Sequence, residues 1–539
     1  MNQKISILIP DNLHINQKNF SSFFKFVAKS GASTHFEKNR RDWIDTYGNY
    51  DSKSDVLYER CRILARLTPD FLYEHSVKGV NLFKIARAEI LSRSSVTSDW
   101  YASPYPSSSR GIFDKLYKIN KTLLMQNLAA AWDWLEFWSR QLADLPGFTH
   151  CCVFSGSLIY QRSLIELLKF TPTRVLLMES FLTGNDYYCE EKYEPISNNC
   201  NIRHKAVFSS LAPTPDGDMY DKERMQAINK LIQAKNKNVK QPESGEAIKF
   251  LKPDLPIVCI FGQVVNDFSL LEYRQTGLAS IPFYEELIRS LVAVGFNVVF
   301  KAHPWEQKKN NVRGPLTGNA IKLFVGTLPD ALQSQVVVVE DYPISELFNI
   351  SSWAVGLNSQ SLLEAAFAGF KPVQFGDAFF GGKGFTHDYS LDKVAEFVED
   401  AKSGRIGGSL SLTDFMRYED FLIRLLQKQL VSIHDSGVNR LAKVFEIPFV
   451  IALAKNASSN LVSSQSIASP KRVVMKANSE IANKLILSSG VPYPAGRPVN
   501  NATSKKGIIR KKLRKLKVNP RKFFADARHP GIRVLRHLF

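Results

Sequence analysis

The chain has 539 residues, of which 44% are hydrophobic and 22% are charged. At roughly 150 residues per domain, this length predicts about three folding units, and the composition excludes a wholly disordered or collagen-like chain. The net charge is +19, but residues 501–539 hold 13 Lys and Arg against one acid, so the basic excess is concentrated there. No apolar run reaches the roughly 18 residues that a membrane-spanning helix needs, and we predict a cytoplasmic protein.

The first half of the chain alternates short apolar runs with a helical pattern. Runs at 5–9, 150–154 and 174–178 predict buried strands, and residues 158–170 predict a helix. This alternation is typical of βα units in a parallel sheet. Residues 211–256 are mainly polar, and we interpret them as a connector between two domains.

A second βα series follows the connector. In chain order, the predicted elements are strand 255–261, helix 283–294, strands 296–300, 336–339 and 353–356, helix 359–368 and strand 371–375. The sequence therefore predicts an α/β fold of two Rossmann-like domains with a central cleft. In such folds, ligands bind at the carboxyl ends of the strands.

Composition divides the chain further. The predicted parts are a Rossmann-like domain 1–245, a second Rossmann-like domain 246–400, C-terminal helices 401–455, a flexible linker 456–504 and a basic amphipathic tail 505–539.

Polar residues after strand 296–300 are candidates for anion binding. Lys301 and His303 can each donate hydrogen bonds to a phosphate or carboxylate. Because Pro304 disfavours helix at His303, that side chain is expected at the carboxyl end of the strand. The alternative is a capped loop with a solvated lysine.

The start of helix 359–368 is a second candidate. Asn358 or Ser359 is a plausible N-cap, and the N–H groups of a helix N-terminus suit a phosphate. Ordinary capping is the alternative explanation. Glu364 lies inside this helix, where it either serves structure or reaches a ligand.

Two carboxylates form the third candidate site. Asp267 follows the first strand of the second domain, and Glu179 follows strand 174–178, so one acid comes from each side of the predicted cleft. A pair of acids about 5 Å apart supports retaining glycosyl transfer. Each acid could instead be an N-cap or half of a surface ion pair.

A glycine-rich loop spans residues 376–388, and its glycines allow close approach of backbone to a ligand. Its spacing matches neither a phosphate-binding P-loop nor a dinucleotide fingerprint. The sequence contains no HExxH motif, no Cys/His cluster and no CxxC pair, so we predict no catalytic metal, no other cofactor and reduced cysteines.

The ordered set of motifs resembles the bacterial β-Kdo transferases of surface polysaccharide assembly, both the capsular linker enzymes and the related O-antigen enzyme. The matching pieces are Gly262-Gln263-Val264 with Asp267, Lys301-Ala302-His303-Pro304, Ser359-Gln360 with Glu364-Ala365, the loop 376–388 with its Gly384-x-Thr386-x-Asp388 ending, and Met178-Glu179-Ser180-Phe181. The resemblance covers roughly residues 150–390.

This resemblance implies a glycosyltransferase-B type fold and transfer of Kdo from CMP-Kdo through a covalent intermediate. Asp267 would attack C2 of Kdo, and Glu179 would assist at the acceptor, a polysaccharide or lipid-linked glycan. The first domain would bind the acceptor and the second the CMP-sugar. The implied substrate-binding residues are Gln263, Lys301, His303, Asn358, Ser359, Gln360, Glu364, Gly384 and Thr386.

Residues 507–518 place Ile509, Leu513 and Leu516 at helical spacing among bases. A basic amphipathic helix suits an anionic membrane surface, so we expect the tail to associate with the inner membrane or an assembly complex. Nucleic-acid binding is disfavoured because aromatic stacking residues are sparse in the tail. The remaining alternatives are another CMP-sugar enzyme, such as a sialyltransferase, and a non-catalytic polysaccharide-binding or export module.

Overall fold

The structure is a computed structural model, and it describes residues 5–101, 105–213, 217–234, 247–306 and 316–446. These residues belong to one compact unit that spans Met1–Lys455. The predicted linker 456–504 and tail 505–539 lie outside the described residues.

Two six-stranded sheets and a small two-stranded ribbon make up the β structure. The strands are β1 (Ser6–Ile9), β2 (Ser33–Phe36), β3 (Ser76–Val77), β4 (Val80–Asn81), β5 (His150–Phe154), β6 (Arg174–Ser180), β7 (Asp186–Glu191), β8 (Ile257–Phe261), β9 (Asn297–Lys301), β10 (Val336–Val339), β11 (Trp353–Gly356), β12 (Val373–Gln374), β13 (His387–Asp388) and β14 (Val431–Ser432).

Helices cover both sheets. They are α1 (Ser21–Ser30), α2 (Arg41–Ile44), α3 (Ser54–Leu64), α4 (Pro69–Glu74), α5 (Leu82–Ser94), α6 (Ser98–Tyr101), α7 (Ser109–Ile119), α8 (Lys121–Asp144), α9 (Ile159–Leu168), α10 (Lys205–Ser210), α11 (Gly217–Ile232), α12 (Phe268–Leu271), α13 (Ser280–Ala293), α14 (Leu316–Val325), α15 (Asp330–Gln333), α16 (Ile344–Ile350), α17 (Ser361–Phe367), α18 (Val394–Lys402), α19 (Leu412–Ile423) and α20 (Ser436–Val444). Short 3₁₀ turns lie at Asp51–Lys53, Asn201–Arg203, Tyr273–Gln275 and Leu391–Lys393, and a π-helix at Arg424–Gln429. Within the described residues, no helix combines the length and apolarity needed to cross a bilayer.

The first sheet has the order β14-β7-β6-β5-β1-β2. Its strands β6, β5, β1 and β2 are parallel, whereas β7 and β14 are antiparallel additions at the edge opposite β2. Because helices cover both faces of a parallel sheet, its strands are apolar along most of their length. The sequence of β5, His-Cys-Cys-Val-Phe, is buried at its first four positions.

The second sheet, with the order β10-β9-β8-β11-β12-β13, is parallel throughout. Strands β10 and β11 coincide with the predicted strands 336–339 and 353–356, whereas β12 is shorter than the predicted strand 371–375.

The chain returns to the first sheet after the second one. Strand β14 pairs with β7, α20 packs on α1, and α19 packs on α11. Helix α11 lies inside the region 211–256 that the sequence predicted as a polar connector, so this connector includes a packed helix. We call residues 5–234 with 412–446 the first lobe and residues 257–402 the second lobe.

These sheets confirm the predicted α/β fold with two Rossmann-like lobes. The lobes are in contact, because α12 of the second lobe packs on α5 of the first. This contact places the loop that follows β8 against α5 of the first lobe.

Candidate functional site

Glu179 lies at the carboxyl end of β6, half-buried between the lobes. Burial raises the pKa of its carboxyl to about 7, and the negative charge of Asp267 adds to this rise, while the hydroxyls of Ser155 and Ser197 act in the opposite direction. Its Oε2 atom has no hydrogen-bond partner among the described residues. Glu179 is therefore close to half protonated at neutral pH.

Asp267 lies directly before α12, on the second lobe. Its Oδ1 accepts a hydrogen bond from the backbone N–H of Ser269 at 2.8 Å and caps the helix. Within the described residues, Asp267 Oδ2 makes no hydrogen bond to a side chain. Its charge raises the pKa of Glu179, so the two acids, which the sequence placed on opposite sides of the cleft, interact electrostatically.

Gln263 and Asn358 join the carboxyl ends of β8 and β11. Gln263 Nε2 donates to Asn358 Oδ1 at 2.7 Å, and the backbone N–H of Asn358 donates to Gln263 Oε1 at 3.0 Å. Ser269 Oγ also donates to Asn358 Oδ1, at 2.9 Å. These two predicted ligand residues are thus bonded to each other, and they position the loop that carries Asp267.

Lys301 is the last residue of β9 and is buried. Its Nζ donates to the carbonyl oxygen of Glu340, and at 3.4 Å to that of Ala302. Burial lowers the pKa of its ammonium to about 8. The structure therefore holds Lys301 on backbone carbonyls next to β10, and within the described residues Lys301 makes no hydrogen bond to Glu179 or Asp267.

The loop after β9 is anchored by a residue that the sequence reasoning missed. Glu306 is fully buried and accepts hydrogen bonds from the backbone N–H of Val265 at 3.0 Å, from that of Thr317 at 3.0 Å and from Thr317 Oγ1 at 2.8 Å. His303 lies on the same loop, where its Nδ1 accepts from the backbone N–H of Trp305 at 3.2 Å. Glu306 thus ties the His303 loop to the segment that leads to Asp267.

Glu306→Ala is expected to lower the free energy of unfolding by about 3 kcal/mol, because three buried donors lose their acceptor. Urea unfolding of the variant beside the wild type measures this loss. The matched control Glu399→Ala, at an exposed position of α18, should change stability by less than about 0.5 kcal/mol. A loss below about 1 kcal/mol for Glu306→Ala would contradict the anchoring role.

Helix α17 begins two residues later than predicted. Gln360 is its N-cap and makes no capping hydrogen bond with its side chain, so the prediction that Asn358 or Ser359 caps this helix is wrong. The side chain of Asn358 is engaged with Gln263, and Ser359 Oγ accepts from the backbone N–H of Ser361 at 3.3 Å instead. Glu364 lies in the first turn, where burial raises the pKa of its carboxyl to about 7.

The glycine-rich loop is fixed by its own side chains. Thr386 Oγ1 donates to Asp388 Oδ1 at 2.8 Å, and the backbone N–H of Gly382 donates to Asp388 Oδ2 at 3.0 Å. Gly384 has φ of +89°, and a Cβ there would lie 2.7 Å from Cδ of Arg417. Gly384 and Thr386 therefore shape this loop through contacts of their own.

The same loop bridges the lobes. The backbone N–H of Phe379 donates to Asn198 Oδ1 at 2.8 Å, and Asn198 Nδ2 donates to the carbonyl oxygen of Asp377 at 3.1 Å. Arg203 pairs with the Asp377 carboxylate at 2.5 Å. These contacts join the second lobe to the segment that follows β7.

An arginine-lined cavity of about 340 Å³ lies between the lobes. Sequence reasoning missed it, because its residues come from segments that are distant in the chain. Ser197 and Ser269 line it, and these residues also approach Glu179 and Asp267. The cavity is therefore next to the acid pair.

The described residues contain no group of three or more His, Cys, Asp or Glu side chains arranged to hold a metal ion. Cys151, Cys152, Cys189, Cys200 and Cys259 are buried free thiols, and Cys61 is a half-buried one.

Residues 184–405 match a protein family described as capsule polysaccharide biosynthesis protein. The matched segment covers less than half of the chain. This match confirms the predicted resemblance to proteins of capsule polysaccharide assembly. The segment contains Asp267 and every predicted binding residue, and it begins five residues after Glu179.

The chain is also similar to solved structures. The "beta Kdo 2,4 transferase" KpsC of Thermosulfurimonas dismutans is 16% identical, with a TM-score of 0.36 over 55% of this chain and 87% of that one. The "beta Kdo 2,7 transferase" KpsC of the same organism is 14% identical, with a TM-score of 0.31 over 57% and 89%. A trehalose 6-phosphate synthase of Burkholderia multivorans is 10% identical, with a TM-score of 0.35 over 84% and 100%. No curated protein sequence matches the chain.

Proposed function

We propose that the protein is a retaining β-Kdo glycosyltransferase that moves Kdo from CMP-Kdo to a bacterial surface polysaccharide acceptor. The observation that carries the proposal is the pairing of two acids, Glu179 from the first lobe and Asp267 from the second. Burial, and after it the charge of Asp267, raises the pKa of Glu179 to about 7. The family match over residues 184–405 supports a role in polysaccharide assembly.

The reaction would proceed in two displacements. In the first, a carboxylate oxygen of Asp267 attacks C2 of Kdo, the bond from C2 to the phosphate oxygen breaks, and CMP leaves with the electron pair. In the second, an acceptor hydroxyl attacks C2 and gives its proton to Glu179, while the ester bond to Asp267 breaks. Two inversions at C2 give net retention.

The environment of each acid suits its role. Asp267 holds Oδ1 on the backbone N–H of Ser269, which orients Oδ2 for attack. A carboxyl with a pKa of about 7, as at Glu179, can accept a proton near neutral pH and release it between turnovers.

The second lobe would bind the donor, CMP-Kdo. Lys301, His303 and the start of α17 with Ser359 and Gln360 would face the phosphate and the sugar carboxylate, and Glu364 a hydroxyl of the nucleoside or sugar. Gln263, Asn358, Gly384 and Thr386 would act by shaping the surrounding loops. A single phosphate can be stabilised by cationic side chains and a helix N-terminus, so the proposed reaction uses neither a metal nor another cofactor.

Release of CMP is the measurement that tests this function. The purified protein should release CMP from CMP-Kdo in the presence of glycan acceptors, and release from CMP-sialic acid should be at least about 100-fold slower. Preference for CMP-sialic acid would instead identify a sialyltransferase-like enzyme. No turnover of either donor would favour a non-catalytic polysaccharide-binding or export module.

We further propose that the basic tail brings the cytoplasmic protein to the anionic inner-membrane surface or to an assembly complex there. Deletion of residues 505–539 is expected to weaken binding to phosphatidylglycerol vesicles at least tenfold, because each base near such a surface contributes on the order of 1 kcal/mol. Vesicle sedimentation measures this change, with neutral phosphatidylcholine vesicles as the control. Equal binding with and without the tail would refute the proposal.

A further inference from the structure

The cavity of about 340 Å³ between the lobes has a strongly cationic lining. Its residues are Lys84, Arg87, Arg162, Glu194, Pro195, Ser197, Asn198, Asn199 and Arg203 from the first lobe, and Ser269, Glu272, Tyr273 and Arg274 from the second. Five of these carry a positive charge and two a negative charge.

Two of the positively charged lining residues are buried arginines. Arg87 and Arg162 are each 7% exposed, and burial lowers the pKa of Arg87, with a further lowering from the positive charge of Arg162. Arg87 Nη2 lies 3.0 Å from Glu272 Oε2, whereas Arg162 Nη2 lies 3.7 Å from Glu166 Oε1. Among the described residues, Nη1 of Arg162 has no hydrogen-bond partner.

The carboxylates near Arg162 and at the rim of the cavity are shared with other cations. Glu166 is shared with Lys84, which lies at 3.0 Å. Asp377 lies 2.5 Å from Arg203 and 3.5 Å from Arg274, so one carboxylate faces two guanidinium groups. Arg162 is buried with its nearest carboxylate, that of Glu166, at 3.7 Å, and among the described residues its Nη1 has no hydrogen-bond partner. Because a buried charge is costly when it is weakly paired, the lining is suited to an anion supplied from outside.

The position of the cavity indicates which substrate supplies that anion. Nine of the lining residues belong to the first lobe, including both buried arginines. Ser197 approaches Glu179, the residue proposed to take the acceptor proton. A group in the cavity would therefore lie beside the acceptor hydroxyl.

We propose that this cavity binds an anionic group, a carboxylate or a phosphate, of the acceptor glycan, with Arg162 as its main contact. A planar guanidinium can hold either group with two parallel hydrogen bonds. The lining of the cavity by itself supports anion binding, whereas the assignment of the anion to the acceptor rests on the proposed function.

Isothermal titration of the full-length protein tests the anion site. The probes are sodium glucuronate and inorganic phosphate, with glucose as the neutral control. At least one anion should bind the wild type more tightly than glucose does, and Arg162→Gln should weaken that binding at least tenfold. Arg62→Gln, on the exposed face of α3, is the matched control and should bind as the wild type does.

Equal binding by the wild type and Arg162→Gln, or no binding of either anion to the wild type, would overturn the site. If Arg162→Gln fails to fold, Arg274→Gln carries the test, since that side chain is 63% exposed. This second variant should bind the anion about threefold more weakly, and unchanged binding would again overturn the site.

Transfer kinetics then test the assignment to the acceptor. Arg162→Gln should raise KM for an acidic acceptor at least tenfold while kcat stays within about threefold, and a neutral acceptor should be unaffected. A rise in KM for CMP-Kdo instead would place the anion on the donor and overturn the assignment. If the wild type binds anions but transfers no sugar, the proposed function fails while the anion site stands.

Discussion

Asp267→Asn is expected to reduce Kdo transfer by at least about 10⁴-fold, because the amide cannot form the covalent bond to C2. The folded structure should be unchanged, since Asn also caps helices through its side-chain oxygen and can keep the bond from Ser269. Rates of CMP release and product formation measure the loss, and far-ultraviolet circular dichroism checks the fold.

Asp330→Asn is the matched control, because Asp330 is also an acid at the start of a short helix, α15, and is exposed. This control should retain full activity. Transfer by Asp267→Asn within tenfold of the wild type would remove Asp267 from the nucleophile role.

Glu179→Gln is expected to slow transfer by about 10²- to 10⁴-fold, because the amide cannot accept the proton of the acceptor. In the wild type, kcat/KM should rise as pH increases through about 7, where Glu179 loses its proton. A rate that is independent of pH between about 5.5 and 8.5 would contradict a base of this pKa.

The same substitution is expected to stabilise the protein at alkaline pH. The pKa of Glu179 is raised from 4.5 to about 7 on folding, so the folded state binds more protons in this window and its stability falls as pH rises through it. Gln cannot lose a proton, so the variant avoids the loss of stability that deprotonation of Glu179 causes. The gain at pH 8 should be about 2 kcal/mol, since each pKa unit is worth about 1.4 kcal/mol and partial exposure reduces the full value.

Urea unfolding at pH 4 and pH 8 measures this gain, which should nearly vanish at pH 4, below the unfolded pKa of 4.5. Glu399→Gln, at an exposed position of α18, is the control and should show no such pH dependence. If Glu179→Gln were no more stable than the wild type at pH 8, Glu179 would not be the buried, charge-coupled acid described here.

Sequence reasoning could predict the two lobes because buried parallel strands are continuous apolar runs, as in β5 and β11, and the helices between them keep a helical period. It could also place Glu179 and Asp267 on facing sides. Each follows a recognisable strand, and ligands collect at such strand ends.

The remaining features depend on contacts between distant segments. Asn358 is a good N-cap by residue type, yet its side chain bonds to Gln263 and the helix begins at Ser361. The cavity around Arg87 and Arg162 forms only when α5 and α9 meet segments 194–203 and 269–274. No local pattern in the sequence marks such a meeting.

The proposed mechanism requires a covalent link between Kdo and Asp267. The most direct measurement is the intact mass of Glu179→Gln after incubation with CMP-Kdo alone, followed by peptide mapping. We expect the mass of one Kdo residue to be added, and the adduct to lie on the peptide that contains Asp267. Release of CMP with no adduct, or an adduct on a different residue, would contradict the account.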